Sequence, residues 1–152
     1  MGKKQNCEYS IREVSQILDI PASTLRYYEE LGLLPEVKRT DSGQRVYTQE
    51  QLDRLGAICC LKHTGMTMSH LQQFFQYEEK KEEYMDEILL LLMNQKEEME
   101  NRIRQDQEDL IQVKRKILFY KETKASLEKK ETPPDWKDYE HADVAKISGI
   151  NG

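Results

Sequence analysis

The stretch that decides the fold is residues 23–34, STLRYYEELGLL, in which a short helical pattern runs into a glycine. It predicts a helix over about 22–31 that ends at Gly32, since glycine readily takes the left-handed conformation that closes a helix. Two adjacent tyrosines lie in the middle of this helix. Successive helical residues point about 100° apart, so only one of Tyr27 and Tyr28 can face the core. The pattern therefore predicts an exposed aromatic ring.

A second short helix is predicted just upstream. Ser10 and Glu13 have the spacing of a capping box, in which the two side chains satisfy each other's backbone donors at a helix start. Apolar residues follow at helical spacing, which predicts a helix over about 11–19, interrupted at 19–21: Ile11, Val14, Ile17 and Leu18. Two such helices form a helix-turn-helix, whose second helix can enter a DNA major groove. Helical hairpins of this size also occur in proteins that never bind DNA.

Residues 34–47 predict a β-hairpin. The turn cluster Asp-Ser-Gly at 41–43 separates two short β-capable runs. Lys38 and Arg39 precede the turn and Arg45 follows it, which is a good arrangement for gripping phosphate. A helix-turn-helix followed by such a hairpin is a winged helix, although a solvated hairpin with ordinary surface charge is the alternative.

Two more helices are predicted after the hairpin. Thr48 begins a second capping box, and the third helix extends to about His63. Thr67 is predicted to cap a fourth helix with apolar residues at Met68, Leu71, Phe74 and Phe75. The connection between these helices, with Lys62 and His63 at its base, is a candidate second wing.

The rear of the chain has the heptads of a coiled coil, and no glycine or proline occurs between Gly65 and Pro133. The apolar a and d positions, which predict the dimerisation seam, are Leu89, Leu92, Met99, Ile103, Leu110, Val113, Ile117, Tyr120 and Leu127. Polar residues at Lys96, Asp106 and Lys124 interrupt the seam. A helix over about 82–129 would extend about 70 Å at 1.5 Å per residue. It cannot bury its seam alone, so we expect it to pair with a second copy of itself.

These patterns predict a mainly α protein with three parts. A winged helix-turn-helix domain is expected at 1–77, a coiled-coil dimerisation helix at 78–130 and a short tail at 131–152. The tail contains Trp136 and Tyr139, which either pack onto the body or belong to a disordered segment.

Composition limits the function classes. Of the 152 residues, 38% are hydrophobic and 34% are charged, which favours a small domain plus an elongated helix over one compact globule. Residues 1–77 carry nine Lys and Arg against nine Asp and Glu, so any nucleic-acid function depends on where those basic residues lie.

The chain is expected to be cytoplasmic. Three cysteines without CxxC spacing indicate neither a disulfide framework nor a zinc ribbon. We expect no membrane span, since there is no apolar run of about 18 residues. The N-terminal residues lack the apolar segment of a signal peptide.

No enzyme is predicted either. The sequence has no nucleophile–base pair, phosphate loop or paired carboxylates at a catalytic spacing, and it predicts no metal and no cofactor. A coiled-coil adaptor is the remaining rival class, and salt-dependent duplex binding distinguishes a DNA-binding regulator from it.

The order of these elements resembles the MerR family of bacterial transcription regulators. The matching motifs are Thr24-Leu25-Arg26-Tyr27-Tyr28-Glu29, Gly32-Leu33-Leu34-Pro35, Gly43-x-Arg45-x-Tyr47 and Gly65-Met66, within residues 9–76. The resemblance implies a homodimer joined through an antiparallel coiled coil, bound to double-stranded promoter DNA. It also implies that the DNA is distorted until RNA polymerase can use a promoter whose spacer is over-long.

The resemblance also implies site residues. Arg26 and Tyr27 are expected to contact DNA, with Tyr28 facing inward. The helpers that the resemblance implies are Ser10, Thr24, Arg39, Arg45 and Tyr47. The basic residues of the hairpin and of the candidate second wing add Lys38, Lys62 and His63. For Arg45 the alternative is an internal salt bridge that holds the wing. Asp19 replaces the usual turn glycine, and aspartate tolerates the left-handed region.

A sensor is suggested by a single cysteine. Metal-responsive members use cysteines at and after the long helix, and this chain has none beyond Cys60. Members that respond to aldehydes, other electrophiles or nitrosative stress use one cysteine of the third helix, and Cys60 matches that position. Sensing requires a thiolate, which Lys62 or His63 would favour. The alternatives are a buried, inert Cys60 and a regulator with a small-molecule effector or none; Cys59 is expected in the core.

Overall fold

The computed structural model describes residues 7–144. The elements in chain order are β1 (Glu8–Ser10), α1 (Ile11–Leu18), α2 (Ala22–Glu30), β2 (Lys38–Arg39), β3 (Arg45–Thr48), α3 (Gln49–His63), α4 (Met68–Glu78) and α5 (Met85–Glu128). A short 3-10 turn follows at Trp136–Asp138. The predicted mainly α fold with a small hairpin is confirmed.

The helix-turn-helix forms through local signals. Ser10 and Glu13 make the predicted capping box at the start of α1. Asp19 ends that helix with φ 53°, so the aspartate takes the left-handed conformation expected of it. Pro21 then caps α2, since its fixed φ suits the residue at a helix start.

A three-stranded antiparallel sheet places the hairpin beside the helices, in the order β1-β3-β2. The hairpin turn includes Gly43 at φ 82°, and the amide of Thr40 donates to the Gln44 carbonyl at 2.8 Å. Strand β1 pairs with β3 and brings Tyr9 opposite Tyr47. The sequence did not predict β1, because three residues carry too little alternation to distinguish a strand that is stabilised by distant pairing.

Helices α3 and α4 complete the core of the winged helix-turn-helix domain, which is called the head below. Thr48 and Gln51 form the second capping box, and the Thr67 hydroxyl accepts from the His70 amide as predicted. The buried core of the head consists of Val14, Leu25, Tyr28, Leu33, Leu34, Tyr47, Leu52, Leu55, Ile58, Met66, Leu71 and Phe75. The helical spacing predicts Ile17 on the apolar face of α1, but it is 54% exposed.

The described residues fall into two units that meet between Glu97 and Glu98, within α5. The sequence pattern predicts boundaries at residues 77 and 130, and these stay predictions. Among the 44 residues of α5 only Gln95 is buried, and all of them are described. Within residues 7–144, none of the helices combines the length and apolar character needed to cross a membrane.

The described part of the tail packs onto the end of α5 inside the second unit. The Phe119 ring lies 5.5 Å from the Trp136 ring and 5.5 Å from the Tyr139 ring, centroid to centroid, in both cases edge to face. The Lys116 ammonium lies over the Trp136 ring at 3.5 Å, and the Tyr139 hydroxyl donates to Glu122. Of the two expectations for the tail, packing is therefore the one observed up to residue 144, and residues 145–152 lie outside the described range.

Candidate nucleic-acid interface

Helix α2 places its two tyrosines on opposite sides, as the sequence of residues 23–34 predicts. Tyr28 is buried against the core, whereas Tyr27 is 47% exposed and Arg26 lies exposed beside it. Leu25, one turn before Tyr28, is fully buried and holds the helix to the head. The outer face of α2 therefore presents a guanidinium and a phenol side by side.

Glu29 connects α2 to the wing. Its Oε2 accepts from Arg45 Nε at 2.6 Å, and its Oε1 lies 4.0 Å from Arg39 Nη2. The hydrogen bond to Glu29 also raises the pKa of Arg45. The Arg45 side chain is only 19% exposed, so the alternative role, an internal salt bridge that holds the wing, is the one that the structure shows.

The remaining basic groups of the wing point to solvent. Lys38 is exposed on β2, and Arg39 is about half exposed at its side chain while one of its Nη atoms donates to the Gly43 carbonyl at 3.1 Å. Arg39 thus stiffens the turn and still offers donors outward. Arg26 supplies positive charge on α2, and Lys38 and Arg39 supply it on the wing. Glu29 links the two elements through its contacts with Arg39 and Arg45.

Tyr47 requires a correction. The family resemblance predicts that it contacts DNA, but it is 0% exposed and belongs to the core. Side chains alternate across a strand, and in β3 the alternation turns Tyr47 inward. Its hydroxyl is buried without a hydrogen-bond partner among residues 7–144, and burial raises the pKa of that phenol. Tyr47 therefore packs in the core beneath strand β3 of the wing and is not part of the surface.

The other predicted contacts are scattered around this centre. Ser10 is exposed, but its hydroxyl is engaged in the capping box with Glu13. Thr24 is half-buried at the start of α2. Lys62 and His63 are exposed in the last turn of α3, where the predicted second wing begins.

The two cysteines of α3 differ in accessibility. Cys60 is exposed, which removes the alternative of a buried thiol. Cys59 is half-buried, and burial raises the pKa of its thiol. His63 lies three residues after Cys60 and therefore on the same side of the helix, whereas Lys62 points away. Among the described residues no three His, Cys, Asp or Glu side chains are placed to share a metal ion.

Several structural residues of the head were not predicted. Arg54 donates to the Leu33 carbonyl at 2.7 Å, and Gln51 donates to the Pro35 carbonyl at 3.2 Å, so α3 holds the segment between α2 and the wing. Gln95 of α5 donates to the Thr64 carbonyl at 3.0 Å. Glu29 lies within the motif Thr24-Leu25-Arg26-Tyr27-Tyr28-Glu29, but its partner Arg45 is 16 residues away in sequence. No local pattern identifies such a pair.

Known proteins share this architecture. Residues 9–78 match the family described as MerR HTH family regulatory protein. An uncharacterised HTH-type transcriptional regulator of Haemophilus influenzae is 32% identical over 117 residues, covering 77% of this chain and 87% of that protein.

Two solved structures are similar as well. The structure of HiNmlR, described as a MerR family regulator lacking the sensor domain and bound to promoter DNA, superposes with a TM-score of 0.70 at 31% identity, covering 78% of this chain and 90% of that one. A putative MerR family regulator from Listeria monocytogenes gives a TM-score of 0.69 at 28% identity, covering 80% and 92% of the two chains. On this evidence, and with the motif residues placed as described, the chain belongs to the MerR family of helix-turn-helix regulatory proteins.

Proposed function

We propose that this protein is a transcription regulator that binds double-stranded DNA as a homodimer, with α2 in a major groove and the wing on the flanking phosphates. The observation that carries the proposal is the contact of Glu29 with Arg45 and Arg39, next to exposed Arg26 and Tyr27. It fixes the wing relative to the outward face of α2. A preorganised pair of this kind loses little conformational freedom on binding.

The comparison with HiNmlR supports the same reading, because that protein is bound to promoter DNA and is 31% identical to this one. Arginine on a recognition helix reads guanine or grips phosphate, and a tyrosine hydroxyl beside it can donate to a second phosphate. The proposal needs no bulk positive charge, in agreement with the neutral balance of residues 1–77.

A gel shift at two or more salt concentrations tests the DNA contacts. Arg26→Ala should weaken operator binding and lower the salt dependence by about one phosphate contact if the guanidinium meets the backbone. If it reads a base, affinity should instead fall by about 1–3 kcal/mol with specificity relaxed at one position. Arg104→Ala, an exposed arginine of α5, is the matched control and should bind normally. Equal affinity of Arg26→Ala and native protein would refute the assignment.

Tyr27→Phe removes only the hydroxyl and isolates the second contact. A loss of about 1 kcal/mol in operator affinity is expected, since a hydrogen bond to a charged phosphate is lost while the ring remains. Unchanged affinity would mean that Tyr27 contributes its ring alone or nothing.

The second part of the proposed function is distortion of the promoter. A homodimer requires a two-fold symmetric operator, and the family resemblance suggests that it lies in an over-long spacer which the protein distorts for RNA polymerase. In vitro transcription from promoters with the spacer shortened one base pair at a time tests this. Activation should disappear when the spacer reaches the length that polymerase uses unaided, and activation independent of spacer length would contradict distortion.

The signal that we propose is modification of the Cys60 thiol. Its exposed position on α3 leaves it open to an electrophile, whereas burial keeps Cys59 protonated to higher pH. With an aldehyde, the Cys60 thiolate sulfur would add to the carbonyl carbon, and the resulting alkoxide would take up a proton to give a hemithioacetal. No oxidant is required for that step.

A promoter reporter tests the thiol directly. Cys60→Ala should abolish the response to aldehyde or nitrosating agents while DNA binding persists, and Cys59→Ala serves as the matched control that retains the response. A response that survives in Cys60→Ala would remove Cys60 from the mechanism and leave the DNA-binding proposal intact.

A further inference from the structure

A cleft in the head is bounded by the turn between α1 and α2, by α2 itself and by the last turn of α3. Its volume is about 330 Å³, and it is lined by Leu18, Asp19, Ile20, Tyr28, Cys59, Lys62 and His63. Small-molecule sites in proteins are clefts of about 300–1,000 Å³ that combine apolar walls with a few polar groups. The cleft therefore has the size and the composition that suit a small ligand.

The inner wall of the cleft is largely apolar. Leu18 and Ile20 are half-buried on the two sides of Asp19, and Cys59 is half-buried on α3. Tyr28 adds its side chain from α2 to the same lining. These groups give a ligand an apolar surface to cover, and covering that surface favours binding because it removes apolar area from water.

The hydroxyl of Tyr28 is a polar group of this wall that lacks a partner. Tyr28 is 5% exposed, and among residues 7–144 its hydroxyl has no hydrogen-bond partner. Burial raises the pKa of this phenol, and the Cys59 thiol adds a smaller rise, so the hydroxyl lies close to that thiol. A largely buried hydroxyl without a partner costs free energy, which a polar atom of a ligand can recover.

The rim of the cleft carries opposite charges on its two sides. Lys62 lies on α3, one turn after Cys59 and next to His63, whereas Asp19 lies in the turn between α1 and α2. Both charged side chains are exposed, and neither forms an ion pair in the part of the chain that the structure describes. A ligand with both charges meets a counter-charge on each side. Asp19 would repel a simple anion, and Lys62 would repel a simple cation.

We propose that this cleft binds a small zwitterion with an apolar body, of the size and chemistry of a hydrophobic amino acid. The ligand carboxylate pairs with Lys62 beside His63, its ammonium pairs with Asp19, and its apolar body covers the inner wall. The Tyr28 hydroxyl donates to a ligand oxygen. Binding here needs no covalent step and does not use the exposed Cys60 thiol.

Titration of the full-length protein with L-phenylalanine, followed by amide NMR, tests the site. Saturable shifts are expected at residues 18–20 and 59–63, with a dissociation constant in the millimolar range or tighter. Phenylpropanoate lacks the ammonium and phenethylamine lacks the carboxylate, and each should bind at least about threefold more weakly. An analogue that binds as tightly as L-phenylalanine would overturn the zwitterion. Shifts that do not saturate, or that lie elsewhere, would overturn the site.

Two variants remove the charges of the rim one at a time. Lys62→Gln and Asp19→Asn should each weaken L-phenylalanine binding by about threefold to fivefold, and asparagine keeps the turn because it tolerates the left-handed region. Lys62→Gln should also lose the preference over phenethylamine, and Asp19→Asn the preference over phenylpropanoate. Lys81→Gln, at an exposed lysine after α4, is the matched control and should bind normally. Variants that keep both preferences would overturn the assignment of the charges.

Tyr28→Phe removes the hydroxyl and keeps the ring in the core. Binding of L-phenylalanine should weaken by about fivefold while the circular dichroism of the head is retained. Unchanged binding would overturn the role of the hydroxyl. These titrations contain no DNA, so their failure would leave the proposed DNA binding intact, and a failed gel shift would leave the cleft intact.

Discussion

The head and the long helix α5 differ in how their apolar side chains are buried. In the head, side chains from four helices, a sheet strand and the loops after α2 and α3 pack against one another, and residues such as Leu55 and Ile58 lose all contact with water. In α5 the one buried residue among 44 is a glutamine, and most of the aliphatic side chains of the helix are exposed. The head therefore carries the complementary surface for its own apolar residues within one chain, whereas α5 requires another copy.

The strongest test of this contrast is Leu55→Ala. Leu55 is fully buried in α3, and truncation should cost about 2–5 kcal/mol of unfolding free energy through lost burial and the cavity left behind. Ile17→Ala, at a 54% exposed position, is the control and should cost less than about 1 kcal/mol. Urea unfolding at fixed protein concentration measures both. Equal losses would mean that the head is not held by its own core.

The seam responds to a different change. Ile103→Asp places a carboxylate in an apolar layer of the proposed dimer, and we expect dimerisation to weaken by about 3 kcal/mol, or roughly two orders of magnitude in the dissociation constant. The circular dichroism of the head should survive because Ile103 lies outside its core. A variant that remains dimeric at nanomolar concentration would contradict the seam.

Glu29→Gln tests the connection between α2 and the wing. Removing a negative charge beside DNA should strengthen binding by simple electrostatics, but a neutral amide binds Arg45 more weakly than the carboxylate does and should leave the wing less well positioned. We expect the second effect to prevail, with operator affinity and head stability each falling by about 1 kcal/mol.

The neighbouring Glu30→Gln provides the matched comparison, since Glu30 is exposed on the same helix. Its only expected effect is slightly tighter DNA binding from the lost negative charge. If the two variants behaved alike in a gel shift, the Glu29 contact would have no positioning role.

The smallest expected effect concerns the tail. The hydrogen bond to Glu122 raises the pKa of Tyr139 to about 12. A raised pKa means that the neutral phenol is the favoured form in the fold, so the contribution of Tyr139 is complete below its unfolded pKa of about 10 and is lost as the pH rises from there to about 12. Tyr139→Phe should remove one late-titrating tyrosine from the tyrosinate absorbance curve. If the step that disappears lay at about pH 10, the pKa of an ordinary tyrosine, the contact with Glu122 would not form.

Local chemistry explains what could be predicted from the sequence. Ser10 with Glu13 and Thr48 with Gln51 are three residues apart, so each capping box is complete within one helical turn. The opposite fates of Tyr27 and Tyr28 follow from helical geometry alone. The residue motif that matches the family is also local, which is why the sequence alone predicts the winged helix-turn-helix.

The structural features that the sequence does not predict depend on residues far apart in the chain. Strand β1 exists because Tyr9 pairs with Tyr47, which is 38 residues later. Tyr47 itself matched the family motif, but whether a strand residue faces solvent or core depends on what covers the sheet. Arg45 looked like a phosphate contact from its place beside the turn, and only the fold brings Glu29 within 2.6 Å of it.

Gln95 illustrates how a single hydrogen bond narrows the range of acceptable sequences. The Thr64 carbonyl follows the last turn of α3, where carbonyl groups have no helical partner, and Gln95 supplies the donor from α5 at 3.0 Å. An isoleucine or leucine at position 95 would suit a helix rich in aliphatic residues, yet it would remove this hydrogen bond, at a cost of about 0.5–1.5 kcal/mol. Sequence variation at position 95 is therefore limited to side chains that donate a hydrogen bond at the reach of glutamine, even though α5 otherwise tolerates many residues on its exposed faces.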